Sequence, residues 1–575
     1  MIAAPADVEA HRRQLNALIA ELWEWNLQQN PVFASIIGDK RYNDQLGSAS
    51  EKTILEQQAK EKEFLKRFQA IDSAGLPHQD VLNCELEIRS LKEDIEATDL
   101  KLWQMPVNQM NGIHIDAPQL VTVLSFQTVK DYDDYIARLR QLPRLFDEDT
   151  ANMRKGMANS LMPPRFLLEK VVEQTNGIAA LAPEQTPFAQ PFDNFPADFS
   201  VTDKTRLKAA GVPAIKDNVL PAYVKFAQFV KDEYVSKGRS EVGVWSLPNG
   251  DVIYAFEVKR STTTDQTPEE IHQIGLQQVA EIEKQQLAIA NRLGFQDLKA
   301  FRESVKANPK LYAQSREQIL DLYRKYTAQM MPELPKLFGR LPKADLIVMP
   351  LEPFRERDAP GAQYVPGTPD GSRPGHVEVN TSEPEKRMVT SIESTAYHEG
   401  VPGHHLQCTI AQEVEDLPPF RQHAWYGAYG EGWALYSERL GKEVGFYQDP
   451  YSDFGRLEDE MLRAIRLVVD TGLHYKHWTR EQVVQYFHDH SAIDETNVQS
   501  ETNRYIVWPA QALSYKMGQL KILELRARAQ QQLGGQFDIR DFHDQVVDSG
   551  ALPLDVLEEQ INAWIAQKKA MAKAQ

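Results

Sequence analysis

Leu15, Leu18, Ile19, Leu22 and Leu27 recur mostly at three- and four-residue spacing across residues 9–29, the period of a helix with one apolar face. Pro31 predicts its end. Residues 51–73 and 79–102, rich in Glu, Lys, Leu and Gln, predict two more helices, and the pattern resumes over 129–159, 164–176 and 202–236. Pro106, Gly112 and Pro118 predict a loop across 104–119, and Pro183, Pro187, Pro191 and Pro196 predict a surface connection across 181–200. The character changes near residue 240. Residues 242–246 and 251–260 predict a pair of strands turned by Pro248-Asn249-Gly250. Thr267-Pro268-Glu269-Glu270 predicts a helix start, with a threonine cap, a first-turn proline and a capping-box glutamate. Helices follow to about 293 and over 296–305 and 315–339. Residues 348–380 read as extended, dense in Pro and Gly, with a short alternating strand at His-Val-Glu-Val-Asn, 376–380. From 385 onward the pattern is helical, broken near Pro418-Pro419, Pro450 and Pro509, and no internal repeat or low-complexity tract interrupts it.

Composition narrows the partners. The 575 residues carry 64 Lys and Arg against 82 Asp and Glu, a net charge of −18, which argues against nucleic acid or an anionic membrane as partner. Hydrophobic residues make up 42%, enough for a large core. No run approaches a membrane span, and the mean hydropathy of −0.48 agrees. The first residues lack the basic start and apolar core of a signal peptide. The expectation is a soluble protein, cytoplasmic if the chain is complete and periplasmic or exported if Ala3-Ala4-Pro5-Ala6 marks a processed start. Cys84 and Cys408, the two cysteines, make no disulfide framework, and Cys408 reads as packed and inert.

The chemistry concentrates between Tyr397 and Glu438. His398-Glu399-Gly400-Val401-Pro402-Gly403-His404-His405 places three histidines and a glutamate within eight residues. Imidazole nitrogens with a carboxylate suit a catalytic zinc that keeps one position for water, and a glutamate beside a liganding histidine is the usual general base. The common motif returns its second histidine at the fourth residue; here that position is Pro402, and the next histidines lie six and seven residues on. Pro402-Gly403 predicts a bulge that lets the helix absorb extra residues. His404, directly after it, is the first choice of ligand, and His405, close to two full turns away, stays an alternative. Glu431 and Glu438, seven apart and on one helical face, offer the third ligand.

Glu431-Gly432-Trp433-Ala434-Leu435-Tyr436-Ser437-Glu438 resembles the glutamate helix of aminopeptidase-type zinc enzymes, whose first glutamate binds the metal. That likeness implies Glu431 as ligand and Glu438 behind it, fixing a histidine tautomer; alternatively, Glu438 is a solvated partner of Arg439 or Lys442. The two segments together resemble the bacterial family catalogued as domain of unknown function 885, which is regarded as gluzincin-like zinc metallopeptidases. Further matches run from Trp23 to Pro31, Arg463 to His474, Arg504 to Gly518 and Phe542 to Glu558. The resemblance implies a mostly helical fold with a metal cleft. It also implies an edge strand ahead of the metal helix that binds substrate backbone, so that Tyr364, Arg373 and Asn380 face a peptide; a structural loop is the competing reading.

The expected architecture is mainly α: a two-lobed helical shell around a metal cleft, with a small antiparallel β element. Residues 1–240 form the N-terminal helical lobe and 241–575 the catalytic lobe, together one compact unit. The expected activity is hydrolysis of short peptides with one zinc per chain, held by His398, His404 and Glu431, and with Glu399 as base to a metal-bound water. Tyr515 or Tyr505 is expected to steady the oxyanion, with His474 beside them in the same motifs. Arg466, Asp470 and His474 share a face, read either as a buried network or as an ordinary salt-bridged surface. Arg504 suits a terminal carboxylate. Hydrolysis of a non-peptide amide or ester is the alternative enzyme reading. A non-catalytic helical binding protein is the other, disfavoured because such a module has no use for Glu399.

Overall fold

The computed structural model describes residues 5–351, 356, 360–368 and 373–574. The protein is mainly α-helical, with one small sheet. The chain divides into two compact units, Met1–Glu241 and Val242–Gln575. No described helix is long and apolar enough to cross a membrane.

In the first unit the expected helices form as Pro5–Gln29, Glu51–Gln69, His78–Asp99, Val129–Ala158 and Arg165–Ala179. Pro31 does more than end a helix: it opens the next, Pro31–Ile36, at the position where a missing N–H costs nothing. Two expectations fail here. The loop across 104–119 contains the start of a helix, Ile113–Val123, with Pro118 inside it. Residues 181–200 are not a surface connection. Pro187–Phe192 winds into a 3₁₀ helix that drives Phe188 and Phe192 into the core. There they join Tyr132, Tyr135, Phe146, Tyr223 and Phe226. Edge-to-face contacts such as Phe146–Tyr223, 4.9 Å between centroids, order the rings. The predicted 202–236 helix forms as Val201–Ala214 and Leu220–Phe229, joined through a wider π turn, Ile215–Val219. Pro213 and Pro221 flank that turn, and each removes a donor from the regular ladder.

The second unit corrects the strand pair. Residues 244–246 are a 3₁₀ turn and Gly250–Thr262 is a helix. Ile253, Tyr254, Phe256 and Val258 are buried while Val252 and Ala255 face solvent; apolar residues on both sides of the helix leave no clean stripe by which its period can be read. The capping box at Thr267 forms as expected: its hydroxyl accepts from Glu270 N, and Glu270 returns a bond to Thr267 N at 2.8 Å. The sheet is mixed rather than antiparallel. β1 (Leu346–Pro350) pairs in parallel with β3 (Gly375–Val379), and β2 (Ala362–Val365) pairs antiparallel on the other side of β3. Val377 and Val379 of β3 pack onto Ile392 and Ala396, which docks the sheet against the helix Ile392–Glu399. The helices Gly427–Glu443 and Ser514–Leu533 cross in close contact. A Cβ on Gly518 would sit 1.7 Å from the Ala428 carbonyl oxygen, so only glycine permits the crossing.

Candidate metal centre

The helix Ile392–Glu399 stops at its glutamate, and a second helix, His404–Glu413, begins after four intervening residues. The expected bulge is therefore a full break, with a cis Val401–Pro402 peptide inside it. Gly403 lies so close to the preceding helix that a Cβ there would stand 1.9 Å from His398 O. The turn brings His404 back over His398: their rings lie 4.9 Å apart and perpendicular.

Glu431, in the first turns of Gly427–Glu443, completes the group. Its Oε2 lies 3.5 Å from His398 Nε2 and 3.5 Å from His404 Nε2. Among the described residues, one ligand atom from each of the three falls within 4.8 Å of the others. Ligands about 2.0–2.1 Å from a tetrahedral zinc stand about 3.3 Å apart, so both the spacing and the donor set, two imidazoles and a carboxylate, fit that metal. Behind the group, His398 Nδ1 is 2.8 Å from Glu438 Oε1, both buried. The Gln407 amide lies 2.8 Å from His404 Nδ1 and donates to Gly430 O. Each histidine thus has its Nδ1 occupied and its Nε2 turned to Glu431.

Electrostatics bind the group together. Burial works against the charged imidazolium of His398, yet hydrogen bonds to Glu431 and Glu438 push it up to about 10. Burial likewise opposes ionisation of Glu431, but the two histidines hold it well below the usual carboxylate range. Glu399 behaves oppositely: burial raises it, against the pull of His398 and His404. It is not a member of the three-atom group. Its Oε2 accepts the Tyr364 N–H at 2.8 Å, on the side of β2 turned away from β3. An edge strand and a carboxylate with a raised pKa therefore meet beside the metal group.

The remaining candidates divide. His405 turns from the group: its Nδ1 is 3.2 Å from the Tyr364 hydroxyl and its Nε2 3.1 Å from Ala344 O. His474 clamps backbone, accepting from Val244 N and donating to Tyr505 O, both at 2.9 Å. Tyr505 is fully buried, with its hydroxyl given to Glu501, so it faces no cleft. Tyr515 is nearly buried; its hydroxyl accepts from Arg504 Nη2 at 3.3 Å. Asn380 does not face a peptide: it is 1% exposed, donates to Glu356 O and accepts from Ser382. Its side chain is consumed in holding the turn after β3. Arg373 donates to Pro366 O in the loop before β3. Arg466, Asp470 and His474 are all buried, so the row lies in the interior, with Arg466 on Glu501, Asp470 on Tyr254 and His474 on the Tyr505 carbonyl. Burial pushes Asp470 up to about 7 while it accepts from the Tyr254 hydroxyl. Burial pushes the Cys408 thiol up to about 12.

Sequence reasoning passed over several neighbours. Trp425, 53% exposed, lies 5.6 Å from the His404 ring and covers Gly430. Ser394, one turn before His398, donates to Asp459, which burial pushes up to about 7. A tryptophan outside the motif helices and an aspartate about 60 residues downstream of His398 leave no local signal.

The family model described as bacterial protein of unknown function (DUF885) matches residues 31–561. A crystal structure of "the putative lipoprotein from Colwellia psychrerythraea" is 30% identical, with a TM-score of 0.92, over 97% of this chain and 100% of that one. A second, of "a putative lipoprotein of unknown function from Shewanella oneidensis", is 18% identical with a TM-score of 0.70, over 96% and 99%; it shares the fold. No curated protein matches the chain. The chain belongs to the DUF885 family.

Proposed function

We propose that this DUF885 member is a zinc-dependent hydrolase of short peptides. The observation that carries the reading is the convergence of His398, His404 and Glu431 on one point, with the Glu399 carboxylate against the edge of β2. His398, His404 and Glu431 would hold the zinc, which would supply Lewis acidity near neutral pH. Glu399, its pKa raised by burial, is placed as the base that takes a proton from an attacking water and delivers it to the departing amine. The outer edge of β2 accepts an extended peptide as an added strand, with Tyr364 at its centre. Tyr515 sits in the first turn of the helix whose Ser514 would lie 3.5 Å from a Cβ on Gly427, one turn before Glu431. From there, with Arg504 on its oxygen, it steadies the developing negative charge. Glu438 and Gln407 keep the histidines turned inward.

Metal analysis of protein purified without added metal tests the reading. About one zinc per chain, removable by chelator and paired with cleavage in a peptide-library digest, supports it. Protein that takes up no zinc on titration refutes it. Cleavage of simple esters or non-peptide amides with no peptide cut moves the assignment to that substrate class.

A further inference from the structure

We infer that Arg463, Arg466 and Arg504 form the pocket for a peptide's terminal α-carboxylate, so that the protein trims peptides from their C-terminal end. The substrate class rests on the peptidase reading; the carboxylate pocket itself rests on the cluster's geometry.

Three guanidiniums surround one ring. Their central carbons lie 5.9 Å (Arg463), 4.5 Å (Arg466) and 5.9 Å (Arg504) from the Tyr515 ring centroid. Negative charge inside the cluster is scarce. Glu501 takes Arg466 Nη2 at 2.9 Å on one oxygen and Arg504 Nη1 at 3.3 Å on the other. The carboxylate nearest Arg463 is Asp459, 3.5 Å away and already engaged by Ser394. Arg466 is 4% exposed, and its Nη1 is buried with no partner; Arg463 Nε and Arg504 Nε are in the same state. Unmatched guanidinium donors at this depth are costly unless an anion meets them. That a chain of net charge −18 gathers such a surplus points to an anionic ligand.

The cluster is also tied to the two helices that carry the ligands. Arg463 is one turn beyond Asp459, which binds Ser394, one turn before His398. Tyr515 follows Ser514, whose side chain would lie 3.5 Å from a Cβ on Gly427, one turn before Glu431. Each arm thus reaches a ligand helix through one side-chain approach and one or two helical turns. An extended peptide covers about 3.5 Å per residue, so the number of residues released from a carboxylate held here measures the distance between the cluster and the metal group. The planar guanidinium fork suits a carboxylate in two-point contact.

The experiment uses the full-length zinc-loaded protein and one short peptide with a free or an amidated C-terminus. Cleavage is followed by mass spectrometry, and binding is measured calorimetrically with Glu399→Gln to prevent turnover. The free acid is expected to bind about 10- to 100-fold more tightly, the range for charge-assisted hydrogen bonds, and to lose residues from its C-terminal end. Arg463→Gln is expected to abolish that preference by raising Kd and KM for the free acid, leaving the amide's affinity and the zinc content unchanged. Arg463→Lys, which keeps the charge and loses the fork, recovers part of it. If both peptides are cut with equal efficiency, the pocket is refuted while the peptidase reading stands. If neither is cut but the free acid binds selectively, the pocket stands and the peptidase reading falls. Equal binding of both, unaffected by Arg463→Gln, overturns the inference whether or not cleavage occurs.

Discussion

Both units pack ionisable groups inside and differ in what meets them. In residues 1–241 the interior is a ring-packed core. Burial holds His114 down to about 4 and pushes Asp149 up to about 7, the latter helped by the charges of Asp116 and Glu148. In residues 242–575 burial raises Asp459 and Asp470 to about 7 in the same way, but at several clustered carboxylates partners overrule it. Glu460, met by Lys516 and Arg456, falls to about 2, and Glu501, met by Arg466 and Arg504, does the same. Glu431 is held low by two histidines. A protein has little reason to keep charge in its interior for stability alone, because desolvation offsets most of the Coulomb gain. Charge kept inside by arranged partners is the observation behind the choice of this unit for the proposed chemistry.

The comparison breaks most sharply at the metal. Glu431→Ala removes a carboxylate that two histidines face and is expected to lower zinc affinity by orders of magnitude. Asp149→Asn, equally deep in the other unit, is expected to leave it unchanged. Titration with a chromophoric chelator measures both, and an unaltered affinity in Glu431→Ala removes that residue from the ligand set.

Next in size is the base. Glu399→Gln keeps the site's shape and is expected to retain zinc while turnover falls at least ~10²-fold. Loss of zinc by this variant reverses the roles given to Glu399 and Glu431.

The adjacent histidines sharpen the contrast within four atoms of backbone. His404→Ala is expected to lose zinc, whereas His405→Ala, which severs only the contacts to Tyr364 and Ala344, is expected to keep it. Equal losses in the two variants move a ligand role to His405.

In the first unit the expected effect is on stability. Phe146, 1% exposed between Tyr223 and Phe226, leaves a cavity as Ala, expected to cost about 3–5 kcal/mol. Urea unfolding reads it, with zinc content unmoved.

The smallest effect is a dependence on pH. Asp149 has a folded pKa raised to about 7 against about 4 unfolded, so its contribution to stability is complete below pH ~4 and is lost as pH rises through 7. Asp149→Asn is expected to gain on the parent between pH 5 and pH 8. Parallel stability curves across that window place the carboxylate in water.

The sequence by itself determined the elements whose causes are local. The capping box at Thr267, the amphipathic helices of the first unit and the His398-Glu399 pair all depend on residues within a turn or two. The glutamate spacing 431–438 was legible for the same reason, since a helix fixes which side chains share its face. Tertiary structure decided what distant partners control. The run at 251–260 is a helix whose period the sequence hides, because Val252 and Ala255 stay apolar on the solvent side while Ile253, Tyr254, Phe256 and Val258 go inside. Asn380, expected to face a peptide at the end of the 376–380 strand, is instead held inside by Glu356 and Ser382. The choice between His404 and His405 lies with the backbone break at Gly403 and with β2, which claims His405 through Tyr364. The guanidinium cluster brings two helices, Pro450–His474 with Arg463 and Arg466 and Glu495–Val507 with Arg504, around Tyr515 of a third. Helical spacing pairs Arg463 with Arg466, but nothing along the chain brings Arg504 and Tyr515 to them, because that placement is packing between elements rather than within one.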